Sequence, residues 1–123
     1  REVIGDDFDL MVDDNRAWGL ERATEAAQAL IPLNPCWLEE PLRWHDDNGA
    51  ETSGATHENS FTAGENELTS YGCCSLLEEQ AIQILQFDVT MFGGFTEGRK
   101  LSALCELNHV DVVPHHDCFI HAQ

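Results

Sequence analysis

Lysine is almost missing from this 123-residue chain: Lys100 stands alone, and with the arginines it makes 6 basic residues against 23 acidic ones. The resulting net charge of −17 repels phosphate backbones and anionic headgroups, so nucleic acid and anionic membranes are excluded as partner classes. Long apolar runs are lacking too. None approaches the roughly 20 residues needed to span a bilayer, and no signal peptide is visible. The five cysteines, Cys36, Cys73, Cys74, Cys105 and Cys118, are odd in number and form no CxxC pair. That usage argues against a disulfide framework and for a reducing cytoplasm. The pair Gly93-Gly94 is followed by no GK[ST] and sits in no GxGxxG, so a phosphate loop is not indicated and a tight turn into a helix is expected.

What is present is an alternation of two textures. Short apolar runs, "FDLMVD" (Phe8 to Asp13), "CWLEE" (Cys36 to Glu40), "SFTAGE" (Ser60 to Glu65), "IQILQFD" (Ile82 to Asp88) and "VDVVPHH" (Val110 to His116), read as strands. Between them lie segments of helical period. Arg16 to Ile31 repeats Trp18, Ala23, Ala26, Ala27 and Leu30 at three and four residues, until Pro32 and Pro35 break it. Leu68 to Ala81 carries Tyr71, Leu76 and Leu77 in a similar pattern, and Thr96 offers an N-cap for a helix reaching Leu107. The polar stretch Asp46 to Asn59 reads as a loop with a weak helix. Strands alternating with helices of this length mean βαβ units and a parallel sheet.

Each of the five strand segments carries an ionisable residue at its C-terminal tip: Asp13, Glu39, Glu65, Asp88 and His115, spaced 26, 26, 23 and 27 residues apart. In a parallel barrel, equal βα periods bring neighbouring tips together on the face where such folds place their chemistry. Asp13, Glu39 and Glu65 would then converge from three successive strands, and three like charges so close need a cation between them. All-oxygen carboxylate ligands suit a hard ion, Mg²⁺ first and Mn²⁺ second. A small anionic substrate entering so acidic a chain also needs a local cation. In "WLEEP" the strand alternation turns Glu40 away from Glu39, toward a different task such as an ion pair.

The motifs "VDDN", "WLEEP", "AGEN", "FDVTMFGGFTEGRK" and "VVPHH", in this order and spacing, resemble the barrel domain of the enolase superfamily, and within it the mandelate-racemase-like group that includes acid-sugar dehydratases. The resemblance implies a TIM-type (β/α) barrel, here partial, with about five parallel strands and intervening helices. It implies that Asp13, Glu39 and Glu65 ligate Mg²⁺, the first Glu of "EEP" being the ligand. Asp88 and His115 match the family's Asp–His dyad, with His115 as general acid/base. Asn15 and Asn66 fall at positions that line the pocket, and His116 and Asp117 are placed at its mouth or on the substrate.

The activity so implied is abstraction of the proton alpha to a carboxylate, with an enediolate intermediate stabilised by the metal. For an acid-sugar (aldonate) dehydratase, loss of the beta hydroxyl follows. A racemase or epimerase of a 2-hydroxy acid on the same scaffold is the runner-up. A non-catalytic acidic remnant that binds divalent ions is the reading from another class. Glu65 as third ligand and the lack of a lysine near Asp88 favour the His–Asp branch over the family branch that uses lysines.

A whole barrel takes about 250 residues. Residues 1–123 are therefore read as part of a C-terminal barrel domain, with the N-terminal capping domain and the first and last barrel strands outside it. The full-length parent is expected to be a homo-oligomer acting on a small anionic carboxylate, and this piece alone to be inactive. A zinc site in "HHDCFIH" is disfavoured because His115 and His121 are not at helical spacing. Cys118 reads as a bland thiol, and His45, His57 and His109 as surface or satisfied core residues. Trp37 and Trp44 read as packing, and Glu97 and Arg99 as structural.

Overall fold

The computed structural model describes residues 1–43, 59–116 and 118–121. Trp44, His45, His57 and the polar stretch before Asn59 fall outside the described residues, as do Asp117 and the side chain of Cys118. The elements follow in the order β1 (Met11–Asp13), α1 (Leu20–Leu30), a 3-10 turn (Ile31–Leu33), β2 (Trp37–Glu39), β3 (Phe61–Ala63), α2 (Ser70–Glu78), β4 (Ile84–Leu85), α3 (Gly94–Leu107), β5 (Asp111–Val112) and α4 (Cys118–His121). The five strands form one parallel sheet in chain order, the βα repeat expected of a TIM-type barrel. By internal packing the chain divides into two compact units, Arg1–Phe61 and Thr62–Gln123.

In the first unit β1 and β2 pair in parallel, Met11 opposite Trp37 and Asp13 opposite Glu39. The core is small: Ala27, Leu38 and Phe61 are buried, with Val12, Trp18 and Leu30 packed against them. Ala23 and Ala27 form the buried stripe of α1, and their short side chains let the helix lie close to its neighbours. Asn59 is buried beside it and donates to the carbonyl of Ala27 at 2.7 Å. The helix ends where expected. Pro32 sits in the 3-10 turn, and Asn34, at φ 45°, returns its N–H to the carbonyl of Ile31.

Two expectations need correction here. The helix begins at Leu20 rather than Arg16, leaving Trp18 ahead of it. Asn15 and Arg16 are in the left-handed region, φ 51° and 58°, so neither residue can open a right-handed helix; the N–H of Arg16 donates to the carbonyl of Glu40 at 2.7 Å. The first strand is also shorter than "FDLMVD", because Phe8 is exposed. The Arg1 guanidinium gathers the carbonyls of Gly5, Phe8, Leu33 and Asn34 into a turn instead.

In the second unit β3, β4 and β5 pair in parallel, Ala63 opposite Leu85 and Leu85 opposite Val112. Helix α2 is capped by Thr69, whose hydroxyl accepts from the N–H of Gly72 at 3.2 Å. It buries Cys73 and Leu77, while Tyr71, grouped by period with Leu76 and Leu77, is exposed. Burial pushes the Cys73 thiol up to about 12 and the Cys105 thiol up to about 11, so both remain protonated at neutral pH. Cys36, Cys73, Cys74 and Cys105 are free thiols.

Helix α3 starts at Gly94, one residue after Gly93 in the left-handed conformation at φ 52°. Thr96 therefore lies inside the helix and is not its N-cap, because the left-handed glycine pair turns the chain into the helix three residues sooner, with Gly93 as the cap. Lys100 forms an exposed ion pair with Glu97 along this helix at 2.6 Å. No described helix is long and apolar enough to cross a membrane.

Candidate active site

Strand ends govern where the candidate residues stand, and they do so in two ways. Asp13 and Glu39 are the last residues of β1 and β2 and lie opposite one another in register. Glu65, Asp88 and His115 fall two or three residues past the ends of β3, β4 and β5, which corrects the picture of five strands each ending on an ionisable tip. Regular pairing stops early after β3 because Gly64 turns at φ 121° hard against Leu85; a Cβ there would stand 2.9 Å from Leu85 Cδ1. Hydrogen bonds still tie these extensions together. Gln86 N–H donates to Ala63 at 2.9 Å, Val113 to Leu85 at 3.1 Å and His115 to Phe87 at 3.0 Å.

Within the first unit the segment after β1 is built on the segment after β2. The N–H of Asp14 donates to the Glu39 carbonyl at 3.1 Å, and that of Arg16 to the Glu40 carbonyl. The Arg16 guanidinium forms an ion pair with the buried Glu40 carboxylate through Nε, with Nη2 reaching the other oxygen at 3.3 Å. The ion pair expected of Glu40 is therefore with Arg16. Asn15 N–H donates to Asp13 Oδ1 at 2.8 Å, and the Trp37 indole donates to Glu39 Oε2 at 3.1 Å. Asp13 and Asn15 are exposed and Glu39 is half-buried, so these carboxylates stay open to an incoming cation.

Within the second unit His115 is the hub. Its Nε2 lies 3.0 Å from Glu65 Oε2, and its Nδ1 lies 3.7 Å from Asp88 Oδ2. Asn66 donates to the other oxygen of Glu65 at 3.0 Å. His116 is exposed at φ 61°, its ring tilted against that of His115 with centroids 5.5 Å apart. Asp88 is buried, which raises its carboxyl pKa. Donation from the Thr90 hydroxyl and N–H to Oδ1, at 2.7 and 2.8 Å, together with nearby His121, outweighs that and holds it below the ordinary carboxylate value of 3.8. Asp88 is thus a persistent anion facing the imidazole, the arrangement that fixes a histidine's orientation.

The donor types fit a hard divalent ion, since Asp13 and Glu39 present carboxylate oxygens side by side. Among the described residues no group of three or more His, Cys, Asp or Glu side chains is drawn together as a ready metal cage. Two further residues, Thr90 and His121, stand at the Asp88 carboxylate. Thr90, two residues beyond Asp88, was legible as an Asp-x-Thr turn, in which the carboxylate takes the N–H two positions on. No local signal in the sequence ties His121 to Asp88.

A parallel βα repeat with carboxylates and a histidine beyond its strand ends is of the barrel class that carries its chemistry on that face. A family model described as "Enolase C-terminal domain-like" matches residues 1–122, and the chain belongs to that family. It is 36% identical to a 3,6-anhydro-alpha-L-galactonate cycloisomerase of Streptomyces coelicolor, over 99% of this chain and 34% of that protein. It is 40% identical to an L-rhamnonate dehydratase of Saccharopolyspora erythraea, over 94% of this chain and 30% of that one. Among solved structures, an L-talarate dehydratase from a Polaromonas species, complexed with Mg and L-glucarate, superposes with a TM-score of 0.93 at 27% identity. That match covers 99% of this chain and 35% of the other. The chain thus spans about a third of the length of the relatives it matches.

Proposed function

We propose that this chain supplies the metal-binding and general-base part of an Mg²⁺-dependent acid-sugar dehydratase, acting on the carbon alpha to a substrate carboxylate. The single observation that carries the reading is His115, held between the anionic Asp88 on one ring nitrogen and Glu65 on the other. It is supported by the family and by the dehydratases and cycloisomerases among the relatives.

Asp13, Glu39 and Glu65 are the residues proposed to hold Mg²⁺, by their positions in the three motifs. Bound there, the ion would supply Lewis-acid stabilisation to the substrate carboxylate, whose alpha proton is otherwise too weakly acidic to remove. The task of His115 is to take that proton, and Asp88 stabilises the imidazolium that results. Because the ring holds the proton once taken, it is also placed to return one to a leaving hydroxyl at the beta carbon. Asn15, Asn66 and His116, beside the acidic residues they follow or adjoin, are proposed to orient the sugar hydroxyls. Asn66 would do so while steadying Glu65.

The test is turnover of aldonates by the intact protein with Mg²⁺, with product analysis to separate dehydration from cycloisomerisation and racemisation. His115→Asn is expected to lower kcat by at least about a thousandfold, within the range for loss of a general base. Aldonate turnover unaffected by that substitution would overturn the proposal.

A further inference from the structure

The Asp88 carboxylate has two oxygens and they face different partners. Oδ2 looks toward Nδ1 of His115 at 3.7 Å, and Oδ1 accepts from the hydroxyl and the N–H of Thr90. On the same Oδ1 side stands His121, its Nε2 3.4 Å away and its side chain only 4% exposed. That nitrogen is buried without a hydrogen bond, as is Nδ1 of His115, so the carboxylate is flanked by two imidazole nitrogens that have no other described hydrogen-bonding partner. A buried polar nitrogen is costly to leave unsatisfied, and a persistent anion within reach is what makes the position tolerable. The His121 ring also packs on Phe87, centroids 6.1 Å apart, immediately before Asp88 in the chain.

We infer that His121 is a positioning residue: with Thr90 it anchors the Oδ1 side of Asp88, so that Oδ2 stays aimed at His115. The inference rests on the reading of Asp88 and His115 as the working dyad. Thr90 alone holds one oxygen from one direction and leaves the carboxylate free to rotate about its Cβ–Cγ bond. A second group on that side, from an element more than thirty residues away in the chain, removes this freedom. His121 touches no reacting atom in this scheme and acts only through Asp88.

The experiment follows the ring ¹⁵N signals of His115 in the intact protein, identified by their loss in His115→Asn, for three substitutions. Asp88→Asn tests the dyad itself. His121→Phe keeps a ring against Phe87 and removes both nitrogens, and a cavity of about 470 Å³ bordered by His121 leaves room for it. His121→Gln returns an N–H donor. The expected result is that Asp88→Asn and His121→Phe both shift or broaden the His115 signals, while His121→Gln brings them back toward wild type. On an accepted aldonate, kcat falls about tenfold in His121→Phe with KM nearly unchanged, as expected of a misplaced catalytic group.

Signals that ignore Asp88→Asn would sink the dyad reading. Signals that respond to Asp88→Asn but ignore His121→Phe, or that His121→Gln fails to restore, would overturn the positioning role alone. Should His121→Phe not fold by circular dichroism, Thr90→Val supplies the second arm. It unloads the same oxygen and should move the same signals in wild-type His121 protein, and further when combined with His121→Leu, which removes both ring nitrogens; no added effect in that combination overturns the proposal.

Discussion

Arg16 and Glu40 show how much a single pair decides here. The Glu40 side chain is 2% exposed and that of Arg16 is 11% exposed, so the carboxylate is shut off from water and the guanidinium is mostly covered. Removing one side of a buried ion pair typically costs about 3 kcal/mol or more. Arg16→Met is therefore expected to lower stability by about 3 kcal/mol in urea unfolding, far beyond the loss from the exposed pair Arg22→Met. Equal small effects from both would show that the Glu40 carboxylate finds another partner. The same substitution should loosen the turn carrying Asp13 and Asn15, since it removes the guanidinium that docks on the Glu40 carboxylate and leaves only the backbone bond from the residue-16 N–H.

At the scale of the element, α3 leaves no room for a side chain at one position. Gly98 is buried in its second turn, and an added Cβ would stand 2.7 Å from Val89 Cγ1 and 3.3 Å from the Phe87 ring. Alanine at a helix interior normally gains about 1 kcal/mol over glycine. Here both neighbours are buried and Val89 is branched at Cβ, so it has few rotamers in which to step aside. Overpacking typically costs about 1–3 kcal/mol, and we expect it to win, with Gly98→Ala less stable than wild type by about 1 kcal/mol. In the Val89→Ala background the sign should reverse, because the obstructing methyl is gone and the helix gain remains. A double-mutant cycle by thermal or urea unfolding measures both; a stabilising Gly98→Ala in the parent protein would refute the close approach.

At the scale of the whole chain the dominant fact is charge. With 23 acids and 6 Lys plus Arg the folded protein works against its own repulsion, and screening should relieve it. Raising NaCl from about 0.02 M to about 0.5 M shortens the screening length several-fold, so Tm is expected to rise across that range. A flat or falling Tm would mean that local ion pairs outweigh the net repulsion. The same field makes an anionic substrate depend on a local cation, which is one reason the proposed chemistry is assigned to a site with a divalent ion.

The alternation of apolar runs with helical period was enough to find all five strands and to class the chain as a parallel α/β repeat, because burying a sheet between helices imposes those periods on any sequence. The strand-end positions of Asp13 and Glu39, and an ion pair for Glu40, were legible for the same reason: strand alternation is local. Element ends were not, since they depend on local backbone turns that period does not reveal, as the left-handed pair Asn15 and Arg16 comes before the start of α1 at Leu20. Nor was the company kept by Asp88. Thr90 is near in sequence, but His121 reaches it only through the fold, and His115 is set against Glu65 as well as Asp88 only once β3, β4 and β5 are laid side by side. Sequence determined which groups are available and at what period; tertiary structure decided which of them touch, because contact between residues far apart in the chain is a property of packing alone.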